Sequence, residues 1–366
     1  MDFKKDDLVT HAIFGFGKIT NIDEKESNVQ IAFGRQGIKW LSLKHAKLQK
    51  ISADEYETLQ NNYNKQYENW PVSTFFHELE NKEHSFQNRW DSFVENQSEI
   101  LNKLPELYNE AIAGTGFGVF YASPIKEPTD WQIGFQRNYP NQNCGLSVLC
   151  AIKADGNYVA NYFPFHSSGT QLNLKLQRVD VWNTGLEAQI TASWGDAKIK
   201  FFDTRFIHDR AWYVADRSYE FILTGIVYFA NLSKLGDVKF KHSPEVVAKL
   251  KELTADNPEF EGMSDELSFS DLAIFLPIEG FDTDDYQFHA PIKSIKSIDD
   301  FLGQKCWEAV VTVMRNIVRG IDDADLKIII TERAWHCDEP PQVGQYIEGA
   351  LWLQGYLWNV PEKESF

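Results

Sequence analysis

The stretch HAIFGFGKITNI, residues 11–22, decides how the chain begins to fold. Two glycines bracket Phe16, and Lys18 opens the run Lys18-Ile19-Thr20-Asn21-Ile22. A phosphate cradle would need successive backbone N–H groups leading into a helix N-terminus. The run after Gly17 reads instead as a strand, so the pattern is that of a tight strand connection. In it Gly15 and Gly17 supply backbone conformations that other residues resist.

Working outward, NVQIAF alternates, with Val29, Ile31 and Phe33 on one face. The polar stretches DEKES before it and GRQG after it read as turns, the second containing Gly37. IKWLSL supplies another strand and HAKLQKI a short closing one. About five short strands within residues 7–50 predict a small β-barrel, because closing a sheet removes its edges.

At this point the residues resemble a known module. Val9 and His11 on the first strand precede Phe14-Gly15-x-Gly17 in the turn. An apolar strand ending in Phe33 follows, then Gly37-Ile38-Lys39, with Ala46 and Leu48 at the close. This pattern resembles the C-terminal Tudor-like domain of UvrD/PcrA-type helicases, and related small barrels occur in CarD-like transcription regulators. The resemblance implies a non-catalytic module that contacts RNA polymerase, other proteins or nucleic acid. Lys18, Arg35, Lys39, Trp40, Lys44 and Lys47 form the candidate partner-contacting set, which the resemblance favours over the ordinary exposed half of a small barrel, and Gly15, Gly17 and Gly37 read as structural turn residues. No Walker A pattern occurs, so helicase activity is not implied.

Charge singles out the same segment. Residues 1–50 hold 9 basic against 6 acidic side chains, whereas the rest holds 27 against 47, and the whole chain carries -17. Phosphate contacts need local positive charge, so the acidic remainder makes a poor general nucleic-acid surface. Hydrophobic residues are 43% of the 366, enough for a sizeable core. MDFKKDDLVT contains no apolar leader, and FILTGIVYFA, residues 221–230, is far short of the roughly 20 residues that span a bilayer. Four cysteines without C-x-x-C spacing read as reduced thiols, which together with these features predicts a cytoplasmic protein, and the reading as a whole is of a bacterial one.

Residues 51–113 read as a helical connector. Ser52 with Glu55 forms a capping box, Pro71 interrupts, and Phe86, Trp90, Phe93, Ile100, Leu101 and Leu104 recur at helical spacing. From residue 114 the chain is rich in β-branched and aromatic runs, broken by a helix at SPEVVAKLKEL with Ser243 as N-cap and an acidic stretch after it. The expected plan is α+β, mainly β: a small N-terminal barrel over 1–50, the connector, and strand-rich modules over 114–255 and 256–366 that read as OB-like.

Local chemistry is sparse. GTGFGVFYAS lacks the dinucleotide spacing and reads as a turn entering a strand. His166-Ser167-Ser168 lacks a visible third group for a hydrolase and reads as a loop. His336, Cys337, Asp338 and Glu339 are consecutive, unlike the spaced ligands of zinc sites. Asp282, Asp284 and Asp285 in GFDTDDY lack the features of a calcium loop and read as a solvated acidic turn. The set Trp182, Trp194, Trp212, Tyr213, Trp352 and Trp358 reads as core in preference to a base-stacking platform. No cofactor, metal or membrane pattern is read. The reading favours an interaction protein recruiting a protein or nucleic-acid partner of the transcription or DNA-repair machinery. A hydrolase-class enzyme with its site in the body, and an OB-type single-strand binder, stay open.

Overall fold

A computed structural model describes residues 3–12, 14–23, 27–33, 38–67, 76–78, 87–118, 131–141, 143–153, 156–182, 186–234, 239–241, 266–268, 272–315 and 323–359. Strands dominate, with few helices. The N-terminal strands are β1 (Leu8–His11), β2 (Gly15–Asp23), β3 (Asn28–Ala32), β4 (Ile38–Ser42) and β5 (Gln49–Lys50). They form one antiparallel sheet in the order β4-β3-β2-β1-β5, so the predicted strand count holds for this segment. Its core is Val9, Phe14, Ile19, Val29, Ile31, Phe33 and Leu48.

Helix α1 (Ala53–Tyr67) begins with the capping box read from the sequence. The Glu55 N–H donates to Ser52 Oγ at 3.2 Å, and the Ser52 N–H donates back to Glu55 Oε2 at 2.9 Å. These bonds satisfy two groups that a helix start otherwise leaves open. Strand β6 (Phe76–Glu78), α2 (Gln87–Trp90) and α3 (Ser98–Glu110) follow. Trp90, Phe93, Ile100 and Leu104 are buried in a core shared with the strand-rich body, while Leu101 is half exposed. The second half of the connector is therefore part of the body's packing, and β6 pairs in parallel with one of its strands. Pro71, Phe86, Arg35, Gly37 and the helix expected from Ser243 lie outside the described residues.

The body begins with a four-stranded antiparallel sheet of β7 (Ile112–Gly118), β8 (Trp131–Pro140), β9 (Cys144–Lys153) and β10 (Gly156–His166). Next come β11 (Thr170–Val181), β12 (Ala188–Trp194), β13 (Ala197–Asp203), the short helix α4 (Phe206–Asp209) and β14 (Ser218–Leu232). Strands β15 (Lys239–Lys241) and β16 (Glu266–Ser268) pair with each other. The chain then runs through β17 (Ile274–Pro277), β18 (Asp285–Phe301), β19 (Gln304–Met314), β20 (Ala324–Thr331) and β21 (Tyr346–Asn359).

The pairings among these strands close on themselves. Strand β14 meets β21 antiparallel along almost its whole length. Its first half also pairs with β11, which leads through β12 and β13 back to β21. Its middle pairs with β20, which leads through β19 and β18 back to β21. Among the described residues this makes two rings of five strands that share β14 and β21, so neither ring is confined to one side of residue 255. Alternation explains which face turns inward: Leu174, Leu176, Ile190 and Phe221 line one ring, and Val311, Ile328, Ile330 and Leu351 the other, all in one continuous core. Closure leaves these strands no free edge along the paired stretches. No helix among the described residues is long and apolar enough to cross a membrane.

Candidate functional site

The opening stretch builds a hairpin. His11 pairs with Gly15, Thr10 with Phe16, Val9 with Gly17 and Leu8 with Lys18. The three residues between β1 and β2 are followed by Gly15 at φ +76°, the left-handed position that a three-residue hairpin connection uses. The Phe14 N–H donates to His11 Nδ1 at 3.3 Å, and the two rings stack at 4.9 Å. Half-burial draws the His11 imidazole below its ordinary range. Gly17 has a different duty. A Cβ there would lie 2.6 Å from the Ala32 carbonyl oxygen and 2.7 Å from the Phe33 ring. The two glycines are thus explained separately, one by backbone sign and one by close strand approach. No helix follows, so the stretch is not a phosphate loop.

The candidate contact set is only partly visible. Lys18 is exposed and pairs with Asp6 at 2.7 Å. That pair holds the Asp6 carboxyl below its usual range. Lys44 and Lys47 are exposed and pair with no carboxylate among the described residues. Lys39 and Trp40 lie on β4 opposite Ile31 and Gln30. The sheet is fastened to the rest of the chain by aromatic contacts: Phe14 meets Trp358 of β21 edge-on at 5.2 Å, and Phe16 meets Tyr56 of α1 at 5.1 Å.

The acidic triplet is a correction to the sequence reading. Asp284 is fully buried and Asp285 nearly so, with Asp282 half-buried beside them, and their carboxylates converge on one cation, Arg89 of α2. The guanidinium, 1% exposed, donates to Asp284 at 3.0 Å, Asp285 at 3.2 Å and Asp282 at 3.3 Å. It lies 4.2 Å over the Trp352 ring, whose Nε1 donates to Asp284 at 2.9 Å. The Tyr228 hydroxyl donates to Asp285. Burial pushes the Asp285 carboxyl up to about 6 despite Arg89, and the neighbouring Asp284 adds to the rise. The guanidinium is held charged by its carboxylate neighbours against its own burial. This is a structural charge cluster with its counter-ion supplied by the chain.

A second buried carboxyl lies at the end of β13. Asp203 accepts from the Tyr213 hydroxyl at 2.5 Å and the Arg205 N–H at 2.9 Å. Burial and the nearby Asp209 push it well above the usual carboxylate range. On α4, burial, with Arg205 adding, takes the His208 imidazole down to about 4.

His166 and Ser168 do acquire neighbours. Ser168 Oγ donates to Glu308 at 2.7 Å and accepts from Lys327 Nζ at 3.0 Å, and His166 Nδ1 accepts from the Ser168 N–H at 3.2 Å. The bonding is wrong for a nucleophile. The hydroxyl gives its proton to a carboxylate already paired with Lys327 and Lys296. The imidazole meets a main-chain N–H rather than the hydroxyl, so His166 and Ser168 do not make the Ser–His contact of a triad. His336, Cys337, Asp338 and Glu339 do not converge either: the Leu232 N–H donates to Cys337 Sγ, and the Trp335 indole donates to the Glu339 carbonyl. Trp182, Trp212, Tyr213 and Trp352 are buried, with Trp194 and Trp358 partly so, which is core packing.

Fold and site together define a mainly β protein with a small N-terminal sheet and a strand-rich body. Over 52 residues the chain is 46% identical to a DNA helicase II of Haemophilus influenzae (strain ATCC 51907 / DSM 11121 / KW20 / Rd), a match covering 14% of this chain and 7% of the helicase. The chain thus spans a small fraction of that relative's length. No family model matches the chain, and no solved structure matches it.

Proposed function

We propose that the chain is a non-catalytic interaction protein whose N-terminal sheet is a Tudor-like module recruiting a protein or nucleic-acid partner, in the transcription or DNA-repair machinery. The observation that carries this reading is the 46% identity over 52 residues to a segment of DNA helicase II. The spaced residues Val9, His11, Phe14, Gly15 and Gly17 support placing that likeness at the N-terminus. Local charge supports the same end of the molecule, because Lys44 and Lys47 are exposed and have no carboxylate partner among the described residues.

The test uses the full chain, since Tyr56 and Trp358 complete the packing around Phe14 and Phe16. Immobilised protein is titrated with purified RNA polymerase and, separately, with duplex and single-stranded DNA at two salt concentrations. Binding of one of these is expected, weakened about tenfold or more by the double substitution Lys44→Glu and Lys47→Glu, in line with loss of a charged contact. A DNA contact should weaken steeply with salt. Failure of all three to bind, or binding indifferent to both lysines, would remove this reading.

A further inference from the structure

On the outer face of the second ring, opposite the core, lies a cavity of about 400 Å³. Its walls include Phe229 of β14, Ile274 of β17, and Ile278 and Phe281 of the β17–β18 connection. Register explains the convergence: Phe229 stands opposite Ala350, Gln287 opposite Ala350, and His289 opposite both Glu348 and Ile274. A bulge between Val227 and Phe229 turns Phe229 outward, leaving it 41% exposed, and Phe281 is 44% exposed. Apolar walls with a few polar groups at this volume are typical of small-molecule sites.

Three polar side chains line it: His289, Glu348 and the exposed Gln287, whose amide both donates and accepts. His289 is 2% exposed, and its Nδ1 is 2.7 Å from the Leu272 carbonyl oxygen. A carbonyl only accepts, so Nδ1 carries the proton and in the neutral ring Nε2 is an acceptor. That Nε2 is buried and has no hydrogen-bond partner among the described residues. A buried polar atom left open is uncommon and costs stability unless something meets it. Glu348, also lining the cavity, accepts from the Ser233 hydroxyl at 2.8 Å and pairs with no Lys or Arg among the described residues. The Glu348 carboxylate, with no counter-ion among the described residues, sits among aromatic walls that attract cations through their faces.

We infer that this cavity binds a small ammonium compound with an apolar body, its N–H groups donating to Glu348 and its apolar part lying against Phe229 and Phe281. An anion of the same shape meets the Glu348 carboxylate and is rejected. A quaternary ammonium keeps the charge but has no N–H to give.

The experiment is calorimetric titration of the full chain with phenethylamine, trimethylphenethylammonium and hydrocinnamate. Phenethylamine should saturate one site, the trimethyl analogue should bind about tenfold or more weakly, and hydrocinnamate should not bind. Glu348→Gln should weaken phenethylamine about tenfold or more. Should that variant disturb folding, Phe281→Ala at the exposed rim should weaken it severalfold. Absence of saturable phenethylamine binding, equal binding of hydrocinnamate, or full affinity in whichever variant folds overturns the proposal.

Discussion

Arg89→Met is expected to lower the stability of the body by about 3–5 kcal/mol, measured by urea unfolding at neutral pH, the range for leaving buried charge unpaired. The guanidinium is the shared partner of Asp282, Asp284 and Asp285 and lies against Trp352. Methionine restores much of the volume and none of the charge. The deficit should also depend on pH. The Asp285 carboxyl titrates at about 6 in the fold, above its ordinary value. A raised carboxyl binds its proton more tightly when folded, so its contribution is greatest below the unfolded value and is lost as pH rises through about 6. Without Arg89 the window extends upward, because the cation that favours the charged form is gone. The deficit should therefore be smaller at about pH 5 than at about pH 8. Equal deficits at both would show that packing, not charge, is what Arg89 supplies.

The same cluster shows where sequence reading stops. Asp282, Asp284 and Asp285 read as a wet turn because the residue that neutralises them is 193 to 196 positions away. Nothing in GFDTDDY announces a buried cation. The strands of the rings were legible, because alternation survives in a sheet with one face inside, as in Ala309, Val311 and Val313 of β19. Which strands pair was not legible. Ring closure rests on β14 and β21, whose register joins residues more than 100 positions apart. Strand β8 carries little local signal, because WQIGFQRNYP contains glycine, asparagine and proline, all poor strand formers. The cavity had no local signal either: Phe229, His289 and Glu348 are brought together by pairing and a bulge.

Gly17→Val is expected to unfold the N-terminal sheet while the body stays folded, and to abolish partner binding with it. The added Cβ would fall 2.6 Å from the Ala32 carbonyl oxygen, 2.7 Å from Phe33 Cδ1 and 2.8 Å from Ile31 Cγ2. The first of these is backbone paired into the sheet, since Ala32 stands opposite Lys18 and Ile38, and it cannot swing aside as a side chain does. Overpacking of this kind costs about 1–3 kcal/mol or more. A core of seven side chains has little to spare, since small single cores supply about 3–5 kcal/mol. Hydrogen exchange separates the outcomes: amides of β1 to β4 should lose protection while those of β14 and β21 keep theirs. Gly15→Asn is the control, because a side chain there meets open space and asparagine tolerates the left-handed conformation. It should leave both protection and binding nearly intact. If Gly17→Val keeps its partner while β1 to β4 lose protection, recruitment belongs to the body and not to the hairpin that HAIFGFGKITNI builds.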